Sequence, residues 1–156
     1  MEERLVSEYI GKDADKFMEG KTNWTAAILG QAIGPVWFFF RKSYLLGFAF
    51  LVVTYIVVAI ASAINLDEAS YIMFFIYLFT ANKLYLWDVR RKVNKIMSSG
   101  YSSEDQLIST VREKGGTSTV AAVIYVIAFI VFITIYFVSY TAVSAMPSQI
   151  FLNTGA

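Results

Sequence analysis

Asn82 and Lys83 are the residues whose chemistry is most unusual for their place in the sequence. They lie near the end of an apolar stretch, and Lys83 would lie about 22 Å along a helix axis from Glu68, less than the thickness of a bilayer core. An ionisable group inside a membrane is costly and often marks a site that binds or moves an ion. Two interpretations are open. Either Lys83 reaches the membrane interface through the tilt of its helix, or it is an interior charge that pairs with backbone carbonyls at a Gly34-Pro35 bend or with a ligand anion.

Basic side chains are the second set of candidates. Cations at the edge of a bilayer determine the topology of a membrane protein, and they can also bind the headgroups of anionic lipids. A nucleic-acid interface is not expected, because the basic helix face is short and Asp88 interrupts it. The residues predicted to lie at the interface are Trp37, Arg41, Lys42, Arg90, Arg91, Lys92 and Lys95.

Three small residues, Ala26, Gly30 and Gly34, recur at every fourth position. On a helix this spacing allows another backbone to approach closely. Packing against a helix of the same chain and packing against a second copy are both open. Gly34 suits the end of a helix and Pro35 suits the start of the next, so this pair predicts a bend.

Catalytic residues are scarce in this sequence. There is no His and no Cys, which excludes Ser-His-Asp and Cys-His catalysis, thiolate or imidazole metal sites, and disulfides. The carboxylates near the apolar stretches, Asp67-Glu68 and Asp88, are predicted to lie on opposite sides of a bilayer and cannot form an acid/base pair. We therefore expect no enzymatic activity, no metal site and no cofactor.

Three apolar stretches must position these residues: Tyr44 to Leu66, Ala69 to Trp87 and Val120 to Met146. A helix needs roughly 20 residues to cross a bilayer core of about 30 Å, and each stretch approaches or exceeds that length. Of the 156 residues, 57% are apolar and 16% are charged, which is too apolar for a small soluble fold. The sequence predicts an all-α integral membrane protein with three transmembrane helices.

The positions of the charges predict the orientation. All thirteen Lys and Arg residues lie before Tyr44 or between Lys83 and Lys114, and none lies in the turn at Asp67-Glu68 or in the C-terminal tail. By the positive-inside rule, both basic segments are cytoplasmic. The N-terminus is therefore predicted to be cytoplasmic and the C-terminus external.

Residues 23–43 are mostly apolar but contain their own break at Gly34-Pro35. If both halves crossed, the N-terminus and its basic residues would move outside, against the positive-inside rule. A short interfacial or re-entrant helix capped by Asn23 is predicted instead, and both forms stay open. The predicted segments are 1–22 (cytoplasmic), 23–43 (interfacial or re-entrant helix and bend), 44–66 (first crossing), 69–87 (second crossing), 88–119 (cytoplasmic helical loop), 120–146 (third crossing) and 147–156 (external tail).

Two small cytoplasmic helices are predicted to carry apolar stripes. One continues the second crossing as far as Met97, with Val89 and Val93 on one face, and the other runs from Glu104 to Lys114. Apolar stripes of this kind need a surface that buries them. We therefore predict a partner, either a membrane protein or a second copy of the chain, in addition to anionic lipid.

Three blocks of the sequence resemble a bacterial family of small membrane proteins, known as domain of unknown function 2628. The blocks are residues 23–27 (NWTAA), 34–44 (GPVWFFFRKSY) and 81–86 (ANKLYL). Residues 9–12 and 114–118 also look like that family, so that the resemblance covers roughly Tyr9 to Ser118. Phe40 stands where the family often has Tyr. The resemblance implies an integral membrane protein of bacteria with a cytoplasmic N-terminal segment, and it implies no activity, cofactor or catalytic residue.

Together these features predict a non-enzymatic, multi-pass protein of the bacterial inner membrane. The leading hypothesis is that it acts as an accessory or scaffold subunit in contact with anionic lipid or a protein partner. The alternative is a small channel or transporter formed by oligomerisation, with Asn82 and Lys83 near the pathway, because three crossings are too few to enclose a pathway within one chain.

Overall fold

A computed structural model of the chain describes residues 1–64, 66, 69–101 and 103–144, and within them all regular secondary structure is helical, without strands. The turn at Asp67-Glu68 and the tail at 147–156, both predicted to be external, lie outside the described residues. The helices are α1 (Glu2–Ile10), α2 (Ala14–Met18), α3 (Trp24–Ile33), α4 (Val36–Phe40), α5 (Tyr44–Ala63), α6 (Ala69–Met97), α7 (Glu104–Lys114) and α8 (Thr119–Ser144).

Three of these helices, α5, α6 and α8, are long and apolar enough to cross a membrane. They begin at or next to the residues where the three apolar stretches begin. Helix α6 does not stop at Trp87 but runs on to Met97, as the apolar stripe at Val89 and Val93 predicted. A single helix therefore carries both the apolar half and the basic half of this region.

Helices α3 and α4 form a hairpin, in which α3 packs against α6 and α4 packs against α5 and α8. The side chain of Asn23 caps α3 by accepting a hydrogen bond from the Ala26 amide at 2.8 Å. Gly34 turns the chain with a φ of 71°, a conformation that favours glycine, and Pro35 precedes α4. The hairpin starts and ends at the same level of α6: Asn23 bonds to Asn82, and the Arg41 guanidinium lies 5.9 Å from the ring centre of Tyr85. The segment therefore enters the bundle and returns.

Helices α1, α2 and α7 form a small lobe around the C-terminal half of α6. Ser103 caps α7 by accepting a hydrogen bond from the Gln106 amide. The apolar stripes of α6 and α7 are buried in the lobe together with Leu5, Val6 and Tyr9 of α1. We expected these stripes to need a partner; the chain covers them itself, because α1 supplies the missing apolar face.

Helix α8 makes its main contact with the short helix α4. The rings of Tyr125 and Phe39 stack with centres 4.6 Å apart, and the Ser118 amide donates a hydrogen bond to the Phe40 carbonyl at 2.7 Å. Beyond this base most of the described side chains of α8 are exposed. Two clefts flank the base, one between α5 and α8 and the other between α3 and α8.

Candidate functional site

The side chain of Asn82 joins α6 to the start of the hairpin. Asn23 Nδ2 donates a hydrogen bond to Asn82 Oδ1 at 2.7 Å, and Asn82 Nδ2 donates to the carbonyl of Lys21. Both asparagine side chains are buried. A buried amide needs such partners because an unpaired polar group is costly in an apolar surrounding. Asn82 therefore fixes the segment that leads into α3.

Lys83 points away from this amide pair. Its side chain is exposed, and among the residues that the structure describes it has no hydrogen bond or ion pair. The interior interpretation, in which Lys83 pairs with carbonyls at Gly34-Pro35, does not agree with this geometry. Neighbours on a helix differ in direction by about 100°, so that burial of Asn82 turns Lys83 outward.

Arg41 is buried inside the fold, although we expected it to reach lipid phosphates. Its side chain is 8% exposed, and its Nη2 donates to Asp13 Oδ2 at 2.6 Å. The guanidinium also lies 4.7 Å from the ring centre of Phe17, within the range of a cation–π interaction. The hydrogen bond from Arg41 lowers the pKa of Asp13 below its usual value, with a smaller contribution from Lys16.

Trp37 is another predicted interface residue that is buried. It is only 4% exposed, and its ring lies 5.9 Å from that of Phe17 and 5.4 Å from that of Tyr85, centre to centre. The aromatic cluster that surrounds Arg41 therefore belongs to the core. Protein encloses the ring of Trp37, because the hairpin folds it between α2 and α6.

Lys42 and Lys92 bind backbone carbonyls, although we expected them too at headgroups. Lys42 has a φ of 56°, and its Nζ donates to the carbonyl of Gly115 at 2.7 Å, just after α7 ends. Lys92 Nζ donates to the carbonyl of Lys42 at 2.9 Å and lies 2.6 Å from Asp88 Oδ2. A cation is favourable at a helix C-terminus, where the last carbonyls have no partner in the helix. These lysines hold the lobe against the start of α5.

Asp88 is the buried carboxylate at the centre of this contact. Ser43 Oγ donates to Asp88 Oδ2 at 2.7 Å, and Ser43 is completely buried. A serine beside a carboxylate could suggest a nucleophile, but here no substrate reaches the hydroxyl. The pair instead ties the first turn of α5 to α6. In the part of the chain that the structure describes, no cluster of acidic side chains could hold a metal ion.

The backbones of Tyr9 and Gly115 are in close contact beside the hydrogen bond between Lys42 and Gly115. The Gly116 amide donates to the Tyr9 carbonyl at 2.7 Å. Gly115 lies so close to that carbonyl that a Cβ atom would collide with it. Burial, reinforced by neighbouring Tyr85 and Asp88, raises the pKa of Tyr9. We call residues 40–43 and the residues that they contact, Asp13, Asp88 and Gly115, the basic corner.

The remaining predicted basic residues lie outside this corner on the exposed face of α6. Arg90 Nη2 lies 3.1 Å from Glu3 Oε1 in an exposed ion pair, and Arg91 lies 5.7 Å from the ring centre of Trp87. Lys95 is exposed. With Lys83 these residues form the exposed basic face, defined as Lys83, Arg90, Arg91 and Lys95.

The small residues of α3 are used within the chain. Ala26 is completely buried, and a Cβ on Gly30 would lie 2.6 Å from the ring of Tyr77. A Cβ on Gly34 would lie 2.9 Å from the hydroxyl of Tyr125, which donates to the Ile33 carbonyl at 3.1 Å. The small residues of α3 therefore allow α6 to pack closely against one side of this helix and α8 to pack closely at the bend.

Residues 5–91 match the family described as protein of unknown function (DUF2628). The chain belongs to this family. The matched DUF2628 region contains Asn23, Arg41, Asn82 and Asp88, and it ends before α7 and α8. It is shorter at its C-terminal end than the resemblance over Tyr9 to Ser118 implied. No curated protein and no solved structure matches the chain.

Sequence reasoning did not find Asp13, nor the pairing of Asn23 with Asn82. Asn23 was recognised only as a helix cap, and the structure gives its amide a second role. The one local signal was that both asparagines lie in blocks typical of the DUF2628 family. Asp13 gave no signal, because it precedes a short helix like many other aspartates.

Proposed function

We propose that this chain is a non-enzymatic, multi-pass protein of the bacterial inner membrane that acts as an accessory or scaffold subunit in contact with anionic lipid. Membership of the DUF2628 family and three helices of sufficient length and apolarity support a membrane role. The clustering of all Lys and Arg residues in two segments supports a cytoplasmic N-terminus and an external C-terminus.

The observation that carries the lipid contact is the exposed face of α6. Ile72, Phe75 and Phe79 are exposed apolar residues along this face, and Lys83 and Trp87 follow at the same helical spacing. An exposed face must match the medium around it. The change from apolar residues to Lys83 and Trp87 therefore marks the boundary between hydrocarbon and headgroups. Tryptophan and basic residues are enriched at that boundary.

The same boundary supports a re-entrant hairpin rather than an interfacial one. Trp24 lies 6.2 Å from Phe74, ring centre to ring centre, and Phe74 precedes Asn82 by about 12 Å along α6. Helix α3 thus lies beside the apolar half of α6, and its exposed residues Trp24 and Ile28 are apolar. The hairpin enters the hydrocarbon and returns to the cytoplasmic side.

Contact with anionic lipid is tested by replacing the exposed basic face. In vesicles of phosphatidylcholine with a minor fraction of phosphatidylglycerol, the protein is expected to immobilise spin-labelled phosphatidylglycerol at least about threefold more than phosphatidylcholine, because each cation near an anionic surface contributes roughly 1 kcal/mol before screening. The variant K83Q/R90Q/R91Q/K95Q should lose most of this preference. The matched variant K83R/R90K/R91K/K95R keeps the charges and should behave like the original protein. Equal immobilisation of the two lipids by the unaltered protein would refute the lipid contact.

The accessory role and the orientation need separate experiments. Crosslinking in native membranes at native expression should yield a defined protein partner, and its absence would contradict the role of a subunit. A reporter fused at Ala156 should read as external, and a cytoplasmic reading would overturn the topology. The oligomeric pathway gains no support from Asn82, because its amide is already bonded within the chain.

A further inference from the structure

The cleft between α3 and α8 is charged at one end and apolar at the other. Its volume is about 750 Å³. Lys16, Lys21 and Asp13 lie at the charged end, together with Arg41. The apolar end is lined by Leu29, Ile33, Ala122 and Val126, among others. This volume is typical of pockets that bind small molecules, which measure roughly 300–1,000 Å³.

The fold holds the charged end in a fixed place. Asn82 binds the carbonyl of Lys21, so that the backbone carrying this cation is fastened to α6. Arg41 is held by Asp13 and by the ring of Phe17, and within the described chain its buried Nε has no hydrogen-bond partner. The apolar wall is equally fixed, because Tyr125 of α8 bonds to the Ile33 carbonyl and stacks on Phe39.

The charges at this end favour an anion. Three of the four charged side chains that line the cleft are cations. The one carboxylate, Asp13, already accepts hydrogen bonds from Arg41 and from Lys16. Lys21 pairs with Glu19, an exposed residue that does not line the cleft. An anionic group that entered would therefore meet an excess of positive charge.

The size of the cleft argues against a protein helix as its occupant. A helix of about 10 Å diameter and ten residues fills roughly 1,200 Å³, which exceeds the volume available. A phospholipid can place its phosphate and one flexible acyl chain in this volume, with its second acyl chain outside the cleft, and this part of the molecule matches the distribution of charge.

We propose that the α3–α8 cleft binds one anionic phospholipid, with its phosphate against Lys16 and Lys21 and an acyl chain along Leu29, Ile33 and Val126. This site rests on the proposed position of the protein in the membrane. It is distinct from the exposed basic face, because neither Lys83 nor the other members of that face line the cleft.

Helix α8 offers a matched pair of positions for testing the site. Ala122 lines the α3–α8 cleft, whereas its neighbour Ala121 lines the cleft between α5 and α8, which has a volume of about 620 Å³. The α5–α8 cleft has no charged lining residue, and Phe39 and Phe48 contribute to its aromatic wall. An added phenyl ring at either alanine fills one cleft and leaves the other open.

The experiment measures the phospholipid that stays with the protein. The full chain is reconstituted in phosphatidylglycerol nanodiscs, transferred to mild detergent, and analysed by native mass spectrometry. The unaltered protein should retain about one phosphatidylglycerol per chain. A122F should lower this retention at least about tenfold, because the ring occupies the space of the acyl chain, and A121F should leave it unchanged.

A second variant tests the charged end without altering the packing. K16Q/K21Q should lower retention of phosphatidylglycerol about thirtyfold, since two cations that contribute roughly 1 kcal/mol each are lost. The control K12Q/K114Q removes the same charge from exposed residues outside the cleft and should retain the lipid.

Three results would overturn the site. The first is the absence of retained phosphatidylglycerol on the unaltered protein, the second is equal loss in A121F and A122F, and the third is full retention in K16Q/K21Q. Failure of the general lipid contact would look different, because the unaltered protein would then immobilise both spin-labelled lipids equally while still retaining one bound phosphatidylglycerol. K83Q/R90Q/R91Q/K95Q should retain that bound phosphatidylglycerol in either case.

Discussion

Arg41-Lys42 and Arg90-Arg91 are two pairs of neighbouring basic residues that look alike in sequence but occupy opposite environments. Arg41 is buried against Phe17 and bonded to Asp13, and Lys42 binds the Gly115 carbonyl. Arg90 and Arg91 lie on the exposed face of α6. The first pair lies in the turn before α5 and contacts α2, α6 and the residue that follows α7, whereas the second pair projects from a helix. Position in the fold, rather than charge, therefore decides which cations stabilise the protein and which remain available for lipid.

The strongest test of this difference compares Arg41 with Arg91. Arg41→Ala should lower the free energy of unfolding by about 3 kcal/mol, because it removes the packing of a buried side chain, its contact with the ring of Phe17 and its partly exposed ion pair with Asp13. Arg91→Ala should cost no more than about 1 kcal/mol, the range of an exposed cation–π contact. Unfolding titrations in mixed micelles measure both. Arg41→Met separates packing from charge, and equal losses in Arg41→Ala and Arg91→Ala would contradict the comparison.

A finer test concerns the backbone of Lys42. Its φ of 56° is unfavourable for a residue with a Cβ atom. Lys42→Ala should cost about 1.5 kcal/mol through loss of the charged hydrogen bond, and Lys42→Gly should be about 1 kcal/mol more stable than Lys42→Ala because glycine relieves the strain. The same unfolding titration applies. If both variants were equally stable, the strain at this position would be negligible.

The acid limit of stability tests the Asp13–Arg41 pair. The pKa of Asp13 is lowered in the folded state, so its stabilising contribution is present above the unfolded-state pKa of about 4 and is lost as the pH falls through the lower folded value. Because Asp13 is 40% exposed, the contribution should be less than about 1 kcal/mol. Asp13→Asn should be less stable than the unaltered protein at pH 6, and the difference should narrow as the pH falls below about 4. A constant difference between pH 3 and pH 6 would exclude this pair as the cause.

The smallest effect is expected on the exposed basic face. Arg90→Gln breaks the ion pair with Glu3, but both side chains are at least half exposed. Such pairs contribute at most a few tenths of a kcal/mol, so that the free energy of unfolding should change by less than about 0.5 kcal/mol. A loss as large as that of Arg41→Ala would mean that this face also belongs to the core.

Local features of the fold could be predicted from the sequence, and long-range pairings could not. The cap at Asn23, the bend at Gly34-Pro35 and the extent of α7 follow from residues near one another in the chain. The Asn23–Asn82 pair joins residues 59 positions apart, and no local pattern indicates such a pair. Trp37 illustrates the resulting error: a tryptophan beside basic residues is typical of a membrane interface, yet the hairpin carries it into the core.

The Asn23–Asn82 pair also determines the order in which the protein assembles during synthesis. A ribosome adds about 5–20 residues per second, so Asn82 is made roughly 3–12 s after Asn23. During that interval Asn23 lacks its amide partner, Asn82, and Gly30 lacks the ring of Tyr77 against which it packs. Helix α5 emerges from the ribosome before α6, and the hairpin closes only when α6 arrives. The N-terminal segment must therefore wait for a later part of the same chain before it can make these contacts.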